Sequence, residues 1–319
     1  MYQIKQKPED FVVEELLGVD LKESGDYIIF ELKKRNYTTE RAIQQICDSL
    51  RIPRKYVGYA GSKDKVAITT QFISIFKVKK ENIGRLKLKD IELKFKGCSD
   101  KPISLGDLKG NKFKIIVRST SKPPSRTDFI PNYFDEQRFS KNNAEIGKAI
   151  LKKDFKRAAD LISEASKDDA KILGDYLKKK SNDYVGALRL LPKKILMLYI
   201  HAFQSSVFNE TVNEHLKLNK NKKIKEIKNI KIPLPGFGTE FSGEIGEIQR
   251  KILDREGVSP RDFIIRSLPE LSSEGNERSL FAEIKNLKIN EIKKEKEYLL
   301  EFELPKGSYA TMVVKYLFS

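Results

Sequence analysis

The chain has 319 residues, and 62 lysines and arginines against 45 aspartates and glutamates give it a net charge of +17. That length exceeds what one hydrophobic core usually serves, so two domains are expected, and the positive excess calls for an anionic partner. With two cysteines, Cys47 and Cys98, and two histidines, there is neither a disulfide framework nor a familiar zinc site, so carboxylate, lysine, arginine and amide groups must carry any chemistry.

In chain order, Met1 to Asp10 has no apolar signal core. Phe11–Leu16 and Tyr27–Leu32 read as short strands, bounded by Pro8 and by Ser24-Gly25-Asp26. Residues 39–50 read as a helix, because Ile43, Ile46, Cys47 and Leu50 fall at i, i+3, i+4 and i+7. Thr38 or Thr39 suits its N-cap, and Cys47 lies on the apolar face as a packing residue. Residues 70–78 form a strand that runs out of a glycine-rich turn. Phe113, Ile115 and Val117 alternate with basic residues, as in a half-exposed strand.

From 142 to 180 the periodicity turns helical, with Ile146, Ala149 and Ile150, then Phe155, Ala158, Ala159 and Ile162. Pro192 opens a long apolar helix to about Leu216, since proline loses no donor in a first turn. The longest uncharged run, Ile195 to Asn209, is too short to span a bilayer and contains His, Gln, Ser and Asn. Membrane is thereby set aside, and RNA in a reducing cytoplasm becomes the expected partner. Lys217 to Lys231 holds seven lysines and one glutamate, which reads either as a solvated linker or as an RNA-facing loop. Strand character returns at Leu300, Phe302 and Leu304, and Ser308 suits the N-cap of a closing helix. The middle block thus reads as an insertion between two parts of one sheet domain.

Gly61-Ser62-Lys63-Asp64-Lys65-Val66-Ala67-Ile68-Thr69-Thr70-Gln71 carries the most chemistry. A lone carboxylate, Asp64, stands between two lysines, whose charge favours its ionised form. It is then available as nucleophile or base. An isolated Lys-Asp-Lys tripeptide is usually a solvated cluster, but the longer pattern GxKDxxAxTxQ resembles the signature of the TruD family of pseudouridine synthases. Four more segments resemble that family in the expected order: Lys5 to Glu15 around PEDF, Pro131 to Phe139 around NYF and QRF, Phe203 to Asn209 with its QSxxFN core, and Leu304 to Thr311 reading LPKGSYAT.

The resemblance implies an α+β pseudouridine synthase fold. A mixed, mainly antiparallel sheet flanked by helices would occupy 1–140 and 276–319, with a helix-rich TRUD insertion domain at 141–275. It implies an isomerase that turns uridine into pseudouridine in tRNA, at position 13, as a cytoplasmic monomer without cofactor or metal. Asp64 would be the catalytic residue, attacking the ribose C1′ or the base, or removing a ribose proton to give a glycal. Lys5 would pair with Asp64, Asn132 would hydrogen-bond near it, and Phe134 would stack on the extruded base. Lys63, Lys65, Arg138, Lys222, Lys223 and Lys225 are the expected RNA contacts. Asp135 stands where the family usually has glycine, which puts the geometry of that turn in question. The rival reading is a non-catalytic basic RNA-binding or assembly protein. A base-modifying methyltransferase is disfavoured, because no glycine-rich nucleotide-binding turn follows an early strand.

Overall fold

A computed structural model of the chain describes residues 2–78, 86–120, 122–293 and 296–319, the side chains of 141 and 293 aside. In β1 (Phe11–Leu17) alternation buries Phe11, Val13 and Glu15. In β2 (Tyr27–Arg35) it buries Phe30, Leu32 and Lys34. The helix Thr39–Leu50 begins where the Thr38 hydroxyl accepts from the Arg41 amide at 3.2 Å, and it buries Ala42, Ile43, Ile46 and Cys47. Then come β3 (Val57–Tyr59), β4 (Ile68–Phe76), β5 (Ile91–Ser99), β6 (Leu108–Arg118) and the short β7 (Phe129–Pro131).

The chain next turns helical, with helices at Asn143–Leu151, Phe155–Ala165, Lys167–Leu177, Tyr184–Leu188, Lys193–Leu218, Ile224–Ile227 and Gly243–Glu256. Among and after them lie β8 (Lys231–Leu234) and β9 (Asn276–Ser279), which pair antiparallel. The chain returns through β10 (Phe281–Glu283), β11 (Lys285–Lys293) and β12 (Glu297–Pro305) to the helix Ala310–Leu317.

Two compact units result, one of residues 1–130 with 282–319, the other of 131–281. The crossings therefore lie at 130/131 and 281/282, rather than at the expected 140/141 and 275/276. Asn132 and Phe134 consequently belong to the helical unit.

The first unit is built on one sheet in the order β11-β12-β6-β1-β4-β2-β5, with β3 added against β4. It is mixed and mainly antiparallel. The described exception is β1 beside β4, which is parallel, with Val12 opposite Ile68 and Glu14 opposite Thr70. Farther along β4 the same edge is taken by β3, from Tyr59 opposite Ile73 to Val57 opposite Ile75. Between these two stretches, at Gln71 and Phe72, the edge of β4 has no strand alongside among the described residues; the Asp64 loop leaves β3 at Tyr59, beside this interruption, and rejoins the sheet at Ile68, the first residue of β4. One core cluster, including Phe11, Ile115, Phe302 and Val313, packs the helix Ala310–Leu317. A second, including Phe30, Leu32, Ile43 and Ile73, packs the helix Thr39–Leu50. The closing helix takes Tyr309 as its N-cap, not Ser308, whose hydroxyl is buried with no hydrogen-bond partner among the described residues.

The second unit packs its helices around Ile146, Ile150, Ile162, Leu188, Ile200 and Phe203. Gly147 permits the close approach of helix Asn143–Leu151 to helix Lys193–Leu218, since a Cβ there would lie 2.0 Å from the Tyr199 carbonyl oxygen. Pro192 sits at the N-cap of the long helix, one position ahead of its first turn.

Candidate active site

The loop from Ala60 to Ala67 is held at both ends by burial of these two alanines and in between by side chains from β1, from β4 and from the helix Thr39–Leu50. Gln71, buried on β4, donates to the Gly61 carbonyl at 3.1 Å. Thr39 accepts from the Lys63 amide at 2.9 Å and donates to Gln71 Oε1 at 2.8 Å. Lys63 turns its ammonium inward onto Glu15, with side-chain exposures of 7% and 1%. The other oxygen of Glu15 accepts from the Phe72 amide at 3.2 Å, in the interruption between β1 and β3. Every residue named in GxKDxxAxTxQ except Asp64 and Thr69 thus has a visible task in packing or tying the loop. Thr69 is buried, and its hydroxyl has no hydrogen-bond partner among the described residues.

At the head of the loop, Asp64 Oδ2 lies 2.6 Å from Lys5 Nζ, with side-chain exposures of 44% and 24%. Asp64 Oδ1 makes no hydrogen bond among the described residues. The Lys5 ammonium also lies 4.2 Å from the centre of the Phe11 ring, a cation–π contact. The segment bearing Lys5 is fixed against β6, because Gln3 and Arg118 exchange two main-chain hydrogen bonds of 2.9 Å. Behind it, Asp10 is buried and takes a fork from Arg118 at 2.7 and 3.3 Å. Burial pushes the Asp10 pKa up, but the Arg118 guanidinium and the Lys7 amide outweigh it, so the carboxyl stays below its usual range.

Beneath the loop lies Lys34, 1% exposed, whose ammonium donates to the carbonyls of Tyr37 and, at 3.1 Å, Asp64 itself. Burial pushes its pKa down to about 8, opposed by the Asp64 charge and assisted by that of Lys63.

In the second unit, Asn132 and Phe134 follow β7. Asn132 is fixed by its amide donating to the Ser279 carbonyl at 3.2 Å and by Arg278, which donates to its carbonyl at 2.9 Å and to its Oδ1 at 2.7 Å. Arg278 also lies 4.1 Å from the centre of the Phe134 ring. Phe134 meets Phe208 edge to face at 5.4 Å, with Arg138 at 5.7 Å from its centre, and is only 9% exposed. Its main chain is pinned by Asn209, which accepts from the Phe134 amide at 2.8 Å and donates to its carbonyl at 2.9 Å. Asp135 has φ −71° and ψ 154°, ordinary extended backbone, so the turn needs no glycine. His215 is buried beside Glu244 at 2.7 Å. His201 is also largely enclosed, and burial, with Arg138 nearby, holds its pKa below the usual value. Both read as structural.

The tRNA pseudouridine synthase D (TruD) family model matches residues 2–173, 170–227 and 219–317. The chain belongs to this family. A Nanoarchaeum equitans protein assigned as a tRNA pseudouridine synthase D is 36% identical, over 99% of this chain and 98% of its own length. The tRNA pseudouridine synthase D of Aquifex aeolicus is 32% identical over 99% and 98%. A crystal structure from Methanosarcina mazei assigned to tRNA pseudouridine synthase D is similar with a TM-score of 0.74 at 29% identity, covering 99% of this chain and 93% of the other.

The TruD signature loop therefore brings Asp64 and Lys5 together within the first unit, while Asn132, Phe134 and Arg138 come together within the second. Lys63, expected to meet RNA, instead has its ammonium turned into the protein, because the buried carboxylate of Glu15 needs a countercharge. Lys65, Lys222, Lys223 and Lys225 are exposed. Lys34, Glu15 and Arg278 escaped sequence reasoning. Period-two alternation carried the signal for two of them, since Lys34 follows Phe30 and Leu32, and Glu15 follows Phe11 and Val13, on faces that are otherwise apolar. Nothing local marks Arg278, whose partner Asn132 is 146 residues away. Among the described residues no group of His, Cys, Asp and Glu could hold a metal ion, and no helix is long and apolar enough to cross a membrane.

Proposed function

We propose that this TruD-family isomerase converts uridine to pseudouridine in tRNA, at position 13 as the family resemblance implies, with Asp64 as the catalytic group. The observation that carries the reading is the Asp64–Lys5 pair on the signature loop. One carboxylate oxygen is held by the ammonium while the other is left for reaction. In the isomerisation the N1–C1′ bond breaks, the uracil turns, C5 bonds to C1′, and the proton lost from C5 is balanced by one gained at N1. The Asp64 carboxylate can serve by attack at C1′, by attack on the base, or by taking a ribose proton to form a glycal. Each route uses an oriented anion and none requires a cofactor.

The target base is unreachable inside folded RNA and has to be extruded, at a cost of about a few kcal/mol. Asn132 and Phe134 are proposed to receive it. Because Arg278 and Arg138 flank the Phe134 ring, stacking of a base there requires a guanidinium to shift or to share the stack. Phosphate contacts of Lys65, Arg138, Lys222, Lys223 and Lys225 would supply affinity.

The direct test is incubation with unmodified tRNA transcripts, followed by carbodiimide primer extension. A stop at one uridine is expected. Tight binding without any stop would favour the RNA-binding rival.

Lys5→Ala is expected to lower kcat strongly with a smaller loss of tRNA affinity, because it removes the group that orients Asp64. Equal losses of rate and affinity would make Lys5 a phosphate contact instead. Charge reversal at Lys222, Lys223 and Lys225 together is expected to weaken binding and flatten its salt dependence by about one unit of slope per lost contact. Saturating tRNA should largely restore the rate. An unchanged slope would make this stretch a solvated linker.

A further inference from the structure

A lysine is almost never fully buried unless paired, yet Lys34 is 1% exposed and forms no ion pair among the described residues. It occupies a core position of β2, opposite Thr69 on β4 and Ile91 on β5, where an apolar residue would cost nothing to desolvate. Its ammonium instead reaches the carbonyl of Tyr37, two residues past the end of β2, and the carbonyl of Asp64, 30 residues on. We propose that Lys34 is a positioning residue for the reaction: from beneath the loop it grips the main chain of Asp64 and so fixes the carboxylate that acts on uridine. This rests on the catalytic reading of Asp64.

Two features make the grip functional rather than merely cohesive. It acts on Asp64 itself, where a displacement of about 1 Å can cost a hundredfold in rate. It also depends on charge, because a hydrogen bond from a charged donor is about twice as strong as one from a neutral amine. The groups acting on that charge are Asp64, which favours the ammonium, and Lys63, which opposes it. Lys63 is itself met by Glu15 on β1. Thr69 and Ile91 are uncharged, and Glu40 on the neighbouring helix is engaged by Arg54 at 2.9 Å. Burial brings the loss of the Lys34 proton to about pH 8, so the grip weakens inside an assayable range.

The test measures kcat and tRNA affinity between about pH 6.5 and about pH 9.5 for the full-length wild type, Lys34→Met and Lys34→Arg, with an unmodified transcript. Lys34→Met is expected to lose about 10- to 100-fold in kcat near neutral pH, with affinity within about threefold. Wild-type kcat is expected to fall above about pH 8, a limb that Lys34→Met lacks. Lys34→Arg, charged throughout, should recover part of the rate and hold it at high pH. Wild-type kcat in Lys34→Met overturns the proposal, as does an equal loss of rate and affinity. Should Lys34→Met not fold, a limb at the same pH in Lys34→Arg overturns it, and so does a wild-type profile that stays flat to about pH 9.5. Asp64→Asn run alongside separates the two readings. Turnover by that variant removes Asp64 from catalysis, whereas its inactivity beside a fully active Lys34→Met removes Lys34 alone.

Discussion

Asp64→Asn is expected to abolish pseudouridine formation while leaving tRNA affinity within about tenfold, or about 1.4 kcal/mol. The amide keeps the volume of the carboxylate, and its oxygen can still accept from Lys5, so the loop has no steric reason to move. What disappears is the anion that attacks or takes a proton. Affinity is spared because the carboxylate makes no favourable contact with phosphate, and its removal takes a negative charge away from a polyanion's site. The measurement is single-turnover conversion of a transcript at saturating enzyme, paired with a binding titration. Product above background from the purified variant would end the assignment.

Lys63→Met should produce the largest loss of stability. It leaves the Glu15 carboxylate, 1% exposed, without its countercharge, and breaking a buried pair from one side costs about 3–5 kcal/mol. For a unit of this size the melting temperature would fall by about 6–20 °C. Glu15→Gln in the same chain should recover much of the loss, because a neutral amide there still accepts from the Phe72 amide and no longer needs a cation. Thermal melts of the single and double variants measure this. The alternative in which Lys63 grips phosphate predicts unaltered melting and a shallower salt dependence of binding.

The strands β6 and β12 and the helix Thr39–Leu50 are legible because each buries one face with a clean period, and β1 and β2 because short apolar runs are bounded by turn residues, although β2 buries Ile29 as well as Phe30. The edge strand β11 is not legible, since charged and polar residues dominate it and only Leu287 and Ile289 pack inward. β3, with three residues, is too short to carry a period at all. At the site, Asp64 and Lys5 could be read from family resemblance, and the structure brings them together. Lys63 could not be read correctly, because whether a lysine faces water or the interior is decided by a partner 48 residues away. The division between the units at 130/131 is hidden from local sequence for a related reason. The NYF segment looks continuous with what precedes it, yet its hydrogen bonds go to Asn209, Arg278 and Ser279.

The interruption along β4 bears on how this protein would fail. Strands are locked by main-chain ladders that open together, whereas the Asp64 loop is tied to the sheet largely by the side chains of Lys34, Thr39, Lys63 and Gln71. Such a loop can come loose without a single strand unzipping. Warming would therefore disarm the protein before it melts it, and a preparation could keep the full signature of a folded chain after its chemistry has gone.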